Sequence, residues 1–318
     1  MSVPAGASRA RGGREVAGAP AGVAAMVGAT FLWGGTFVAS RALLPAIGPF
    51  PLVGARFALA TVAFALVLAV RRAWSRGQPR ATAGGWRAAL VGGVLSGLLG
   101  AGCYLFQAIG LTTTSAGSSA FLTMVGTVLA ALFAWPLLGQ RPSAALAQGL
   151  TIALVGSLLL SSRPGQPGLA LGAGEAWTLL GATSYALQIV AVARWAPGTD
   201  PLALVAVQSA TVALVLLPFA LGAPAKLGAL DAAGWWRFAY LVIAGSLVAP
   251  LLQVIAQRSL TAGRVALLFA LEPVFGLLFA LVLGGERFGP AWWAGAALIL
   301  TGVVRVEGRG AAGRGAAA

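Results

Sequence analysis

The chain of 318 residues has no histidine, a single cysteine, a single lysine and two aspartates, and only 9% of it is charged. Without histidine there can be no His-ligated zinc site and no histidine-based catalytic triad. Cys103 on its own makes no internal disulfide, no CxxC pair and no thiolate cluster. Lys226 sits in Pro224-Ala225-Lys226-Leu227-Gly228, outside any Walker A loop, which excludes ATP hydrolysis by that route. Asp200 and Asp231 fall in polar breaks, so no aspartate pair forms within an apolar segment. The seven acidic residues are scattered. A membrane-embedded enzyme, which needs acid, base or metal ligands clustered near one interface, is therefore not expected. No catalytic residue, metal site or cofactor is expected either.

What the chain has in excess is apolar length. Hydrophobic residues make up 59% of it, whereas a soluble domain carries about 45–50% apolar and about 25% charged residues. Apolar segments recur at about 21–44, 50–70, 87–110, 117–138, 145–161, 172–196, 201–222, 236–257, 265–284 and 291–305. At roughly 20 residues per crossing, these make ten transmembrane helices in an all-α integral membrane protein. Turn chemistry separates them, as at Gly48-Pro49, Gly77-Gln78-Pro79 and Pro197-Gly198. Residues 1–19 and 307–318 read as disordered tails. The first apolar run is too long for a signal peptide and leads straight into further spans.

The charge, +14 overall, sets orientation. With the N-terminus inside, both tails and Arg71, Arg72, Arg76, Arg80, Arg141, Arg194, Arg258 and Arg305 lie in the cytoplasm. Arg41, Arg163, Lys226, Arg237 and Arg287 lie outside. The positive balance is thus the cytoplasmic bias of a membrane protein, and nucleic acid is not an expected partner. Arginine far outnumbers lysine, and with the alanine and glycine excess this points to a GC-rich bacterial genome. The expected location is the bacterial inner membrane.

An internal repeat organises the spans. Leu105, Gln107, Ile109, Ala116, Gly117, Ala120 and Leu122 match Leu251, Gln253, Ile255, Ala262, Gly263, Ala266 and Leu268 in one ungapped register. The register continues through Gly139, Arg141, Gly149 and Gly156, which meet Gly285, Arg287, Gly295 and Gly302. Residues 20–162 and 170–306 thus form two five-helix repeats. Because five is odd, the second enters the membrane in the opposite sense. Inverted repeats of this kind are typical of alternating-access carriers, with the site at the repeat interface.

On Trp33-Gly34-Gly35-Thr36-Phe37, Arg56-Phe57, Leu271-Glu272-Pro273-Val274-Phe275 and Gly285-Glu286-Arg287, the chain resembles the EamA-domain permeases of the drug/metabolite transporter superfamily. The resemblance spans about residues 21–305. The family ends each fourth span with Gly-Glu, but the first copy here is Gly139-Gln140. The resemblance implies ten helices, cytoplasmic termini and secondary transport, often export of amino acids or related metabolites.

Polar groups at membrane depth are the candidate pathway. Glu272 is the one acidic residue well inside a span, where an ionised acid costs about 2.5–3.5 kcal/mol. It reads either as a site for a coupling proton or a substrate amine, or as a neutral acid bonded to a carbonyl freed by Pro273. Ser119, Thr123 and Gly126 form a small polar stripe whose repeat mates are Val265, Phe269 and Glu272. Two such faces turned to one cavity is one reading, and small-residue packing is the other. The repeat mates Gln107 and Gln253 either line the pathway or bond helices together. Tyr185 with Gln188, and Trp33 with Thr36, are i, i+3 pairs that either gate or pack. Arg56 reads as a side chain reaching the headgroups, and Trp235, Trp236, Trp292 and Trp293 as interfacial anchors. Gly149/Gly156 and Gly295/Gly302 suit peripheral packing or a homodimer contact. The leading reading is a secondary active transporter that exports small polar metabolites by alternating access, with a proton as one candidate for the coupling ion; a channel or receptor without coupled transport is the alternative.

Overall fold

The computed structural model describes residues 19–74, 83–110, 113, 116–161, 172–221, 223–283 and 289–315. Among these, every regular element is a helix. They are α1 (Ala19–Ile47), α2 (Pro49–Trp74), α3 (Ala83–Gly110), α4 (Ala116–Leu138), α5 (Ala144–Ser161), α6 (Ala173–Trp195) and α7 (Pro201–Ala220), then a short α8 (Ala223–Gly228). Next come α9 (Ala232–Tyr240), a π-helical stretch Leu241–Val248 and α10 (Ala249–Ala256), followed by α11 (Ala262–Phe269), α12 (Leu271–Val282) and α13 (Pro290–Gly315). Residues 1–18 and the Gly285-Glu286-Arg287 motif lie outside the described residues.

Six segments are long and apolar enough to cross a bilayer: Pro49–Trp74, Gly85–Gly110, Ala173–Trp195, Pro201–Ala220, Ala232–Ala256 and Ala262–Val282. The first helix supplies a seventh if its two parts, bent by 41°, form one span. Leu122–Leu138 and Ala144–Leu160 are apolar but shorter. Runs such as Leu59, Val62, Leu66 and Val70 on α2 stay exposed, as they should where hydrocarbon replaces water. The protein is an all-helical, multi-pass membrane protein.

Local chemistry sets the helix ends. Asp200 caps α7, its Oδ1 accepting from the Leu202 and Ala203 amides at 2.9 and 3.1 Å, and Pro201 fills the first turn, where no amide donor is needed. Arg71 pairs with the same carboxylate at 2.6 Å. Burial raises the Asp200 carboxyl, but the Arg71 bond and the two amides outweigh it and hold it below the ordinary carboxylate range. After α4, Gly139 adopts φ +70°, a left-handed turn that glycine reaches without steric cost. Its amide and that of Gln140 return to the Trp135 and Ala134 carbonyls.

The helices pack in a definite pattern. Helix α3 lies on α6 and α7, while α1 lies on α9, the π-helical stretch, α10 and α12. Helix α4 packs on α6 and α11, α2 on α7, and α5 on α13. Several contacts tie helix ends together. Lys226 Nζ donates to the Ile47 carbonyl at 2.9 Å, and the Ala262 amide donates to Gln140 Oε1 at 2.9 Å. Arg264 forms an ion pair with Glu307 on α13, a helix that runs on to Gly315.

The glycines expected to serve packing or a dimer contact face each other inside the chain. A Cβ on Gly295 would stand 2.5 Å from the Gly156 carbonyl oxygen, and one on Gly302 would stand 2.6 Å from that of Gly149. The two backbones touch at both levels, so α5 and α13 form one tight pair. Gly295→Val is therefore expected to lower stability by roughly 1–3 kcal/mol, the usual cost of overpacking. Gly289→Ala, whose Cβ would meet nothing within 4 Å, should be neutral. Thermal unfolding of the purified variants in detergent checks this, and a Gly295→Val protein as stable as Gly289→Ala would refute the close packing.

Candidate substrate site

Two prolines open the backbone near the centre of the bundle. In the π-helical stretch amides bond five residues back, as Ala249 N does to the Ala244 carbonyl. Pro250 has no amide to give, which strips the Gly245 carbonyl of its expected donor. Trp33 of α1 takes that place, its Nε1 donating to the Gly245 oxygen at 3.0 Å. Pro273 likewise cannot bond to the Phe269 carbonyl, and the helix breaks at Ala270 between α11 and α12. Glu272 consequently sits in the first turn of a new helix, the end that favours a negative charge.

Around these breaks the polar and aromatic side chains form a circuit, joined by direct contacts except at Glu272, which bonds to none of its members among the described residues. Trp33 stacks on Phe269 with centroids 5.2 Å apart. Phe269 meets Tyr185 of α6 edge-on at 5.0 Å. Tyr185 lies within electrostatic reach of Glu272, as do Cys103 and Tyr104 of α3. The Tyr104 ring lies 5.9 Å from the Arg56 guanidinium carbon. Arg56 Nε donates to Ser246 Oγ at 2.8 Å, and Ser246 follows Gly245, which returns the circuit to Trp33. Seven elements contribute: α1, α2, α3, α6, the π-helical stretch, α11 and α12.

Several of the residues singled out in the sequence meet in pairs. Gln107 Nε2 donates to Thr123 Oγ1 at 3.1 Å. Gln253 Nε2 donates to Gln188 Oε1 at 3.2 Å and to Gln257 Oε1 at 3.1 Å, and Gln257 passes the chain on to the Ile189 carbonyl at 2.7 Å. These three glutamines are 1–4% exposed, so they bond α6 to α10 and the turn that follows it. Gln107 and Gln253, mates in the repeat, do not meet each other; each bonds within its own surroundings. Thr36 Oγ1 turns back to the Trp33 carbonyl at 2.7 Å. Gly126 lies against α6, where a Cβ would be 2.6 Å from the Ala182 oxygen, so its end of the stripe is a packing surface. The Ser119 side chain lies outside the described residues. Glu272 is half-buried and forms no hydrogen bond among the described residues.

Arg56 departs from expectation. It does not reach outward to the headgroups; it is 6% exposed and turned into the bundle. Depth along the chain gave it a snorkelling role, but helix rotation decides the matter, and that rotation brings it to Ser246. Tyr104, Ser246, Phe269 and Gln257 also join the site without having been proposed for it. Phe269 was visible as the repeat mate of Thr123, whereas the others required the cross-helix contacts.

Trp33→Phe keeps a ring to stack on Phe269 but removes the donor to the Gly245 carbonyl. Leaving that buried acceptor unpaired is expected to cost about 1–3 kcal/mol. Thermal unfolding of the variant reads the loss, and an unchanged midpoint would show that the carbonyl is satisfied in another way.

Three comparisons bear on this arrangement. The model of the EamA-like transporter family matches residues 20–162 and 172–306. An uncharacterized transporter of Archaeoglobus fulgidus is 25% identical over 276 residues, covering 87% of this chain and 82% of its own length. A protein of known crystal structure, 22% identical in sequence, superposes with a TM-score of 0.72 over 90% of this chain and 96% of its own. At that identity the likeness is one of fold.

Proposed function

The chain belongs to the EamA-like transporter family, and on that premise we propose that it is a secondary active carrier that exports small polar metabolites, amino acids or related compounds, by alternating access. In this reading ten spans form two inverted five-helix repeats, residues 20–162 and 170–306, in a bacterial inner membrane with both termini in the cytoplasm. The substrate meets the circuit of Trp33, Phe269, Tyr185, Glu272, Tyr104 and Arg56, and Glu272 carries the coupling proton.

The observation that carries the reading is that circuit, drawn from both halves of the chain, because a carrier needs polar groups at membrane depth facing one another across its repeat interface. Two further features support it. Helix contacts come in reciprocal sets: α3 against α6 and α7 is answered by the stretch from α9 to α10 against α1 and α2, and α4 against α6 by α12 against α1. Contacts between helix ends also join ends that the proposed topology assigns to one side. Lys226 with Ile47 falls outside, and Arg71 with Asp200, Gln140 with Ala262 and Arg264 with Glu307 fall inside.

Glu272 suits proton exchange because it is half-buried, lies at a helix break and has no hydrogen bond among the described residues to hold it in one protonation state. Glu272→Gln is expected to insert and fold normally, to lose gradient-driven accumulation, and to retain part of substrate exchange down its own gradient. The amide keeps the shape and removes only titration. Proteoliposomes tested against a panel of labelled amino acids and metabolites, with and without a proton gradient, read the difference. Normal accumulation by Glu272→Gln across a pH series, together with misfolding of Glu272→Ala, would make this residue a packing group.

A further inference from the structure

We propose that Arg56 and Ser246 form the carboxylate-binding half of the substrate site, so that the molecule carried is a small organic carboxylate. The proposal rests on the carrier reading above and narrows it. Arg56 is 6% exposed in the interior of α2, whereas Arg71 and Arg72 lie exposed in the last turn of the same helix. A cation withdrawn this far from water is costly unless something supplies the opposite charge. Among the described residues nothing does: Arg56 forms no ion pair, and its hydrogen bond is the single one from Nε to a neutral hydroxyl. Four of the five donors of the guanidinium are left to other partners.

The surroundings suit a planar anion. Phe57 and Tyr104 lie beside the guanidinium, 5.5 and 5.9 Å from their ring centroids to its carbon, and restrict its tilt. Ser246 Oγ donates to the Leu241 carbonyl at 3.3 Å, which turns its lone pairs to Arg56 and holds Nε in place. At Gly245 a Cβ would approach Arg56 Nη2 to 3.0 Å, so only glycine there lets the guanidinium lie against this backbone. A guanidinium held by Nε, whose terminal nitrogens make no hydrogen bond among the described residues, keeps the fork that grips a carboxylate through two parallel bonds. Glu272 does not occupy that fork. Arg56 and Glu272 form no ion pair among the described residues, and the cationic and anionic groups of the site stay separate.

A purely structural Arg56, bracing the π-helical stretch through Ser246, would need only the Nε donor and would be indifferent to the charge of the cargo. The test uses full-length protein in liposomes loaded with two mixtures, one of L-amino acids and simple organic acids and one of their matching carboxamides. Counterflow is read by mass spectrometry. Wild type is expected to carry at least one acid and to favour it over its amide by roughly 10- to 100-fold, the range of one charged hydrogen-bonding group. Arg56→Gln should bring that ratio near one, and Arg56→Lys, which keeps the charge but not the fork, should recover part of it. Folded Arg56→Gln with the wild-type ratio overturns the assignment. Should Arg56→Gln fail to assemble, the wild-type ratio decides: acids and amides carried alike overturn the assignment and leave the carrier standing. Wild-type vesicles that carry neither mixture overturn the carrier and the assignment together.

Discussion

Hydrocarbon offers no hydrogen-bond partner, so each polar group at membrane depth has to find one within the protein. Most of the threonines do so locally, as Thr30, Thr61, Thr178 and Thr211 do by returning their hydroxyls to a carbonyl three or four residues back. Glutamines bridge helices instead. Ser96 of α3 donates to Gln208 of α7, and the Gln188–Gln253–Gln257 chain ties α6 to α10 and the turn beyond it. Among the described residues, Ser209 Oγ is the buried side-chain polar atom left without a partner. Against so complete a satisfaction, Arg56 without a counter-charge and Glu272 without a hydrogen bond among the described residues stand out, and both belong to one group of side chains.

The circuit exists because two prolines interrupt the helical ladder in different spans. Pro250 frees a carbonyl that recruits Trp33 from α1, and Pro273 starts a new helix whose first turn carries Glu272. Broken helices are tolerated at membrane depth only where protein or a wet cavity covers the backbone. The tight α5–α13 pair, joined glycine to glycine, lies apart from this centre and supplies packing.

Much of this was legible in the chain before any coordinates. Apolar runs and turn residues mark the helices, and the register from Leu105 to Gly156 marks the internal repeat. Glu272-Pro273 identifies itself as an acid beside a helix breaker. Pairings across helices were not legible, because spacing along one helix says nothing of what the next presents. Gln188 and Gln253 each stand out as polar groups within a span, but nothing along the chain gives their bond to each other. Arg56 follows the same rule: its depth can be counted along the chain, but its rotation toward Ser246 cannot. Gln140, which breaks the family's Gly-Glu pattern, proves to accept a hydrogen bond from the first amide of α11, a role that glutamine fills without charge.

The proposed carrier depends most on an opposed insertion of its two halves around this polar circuit. Cysteine accessibility measures it directly, in a Cys103→Ala background with a membrane-impermeant thiol reagent applied to sealed vesicles of known orientation. Lys226→Cys should label only from outside and Arg71→Cys only from the cytoplasmic side. Labelling of both from the same side would contradict the inverted repeat, and with it the carrier built on it.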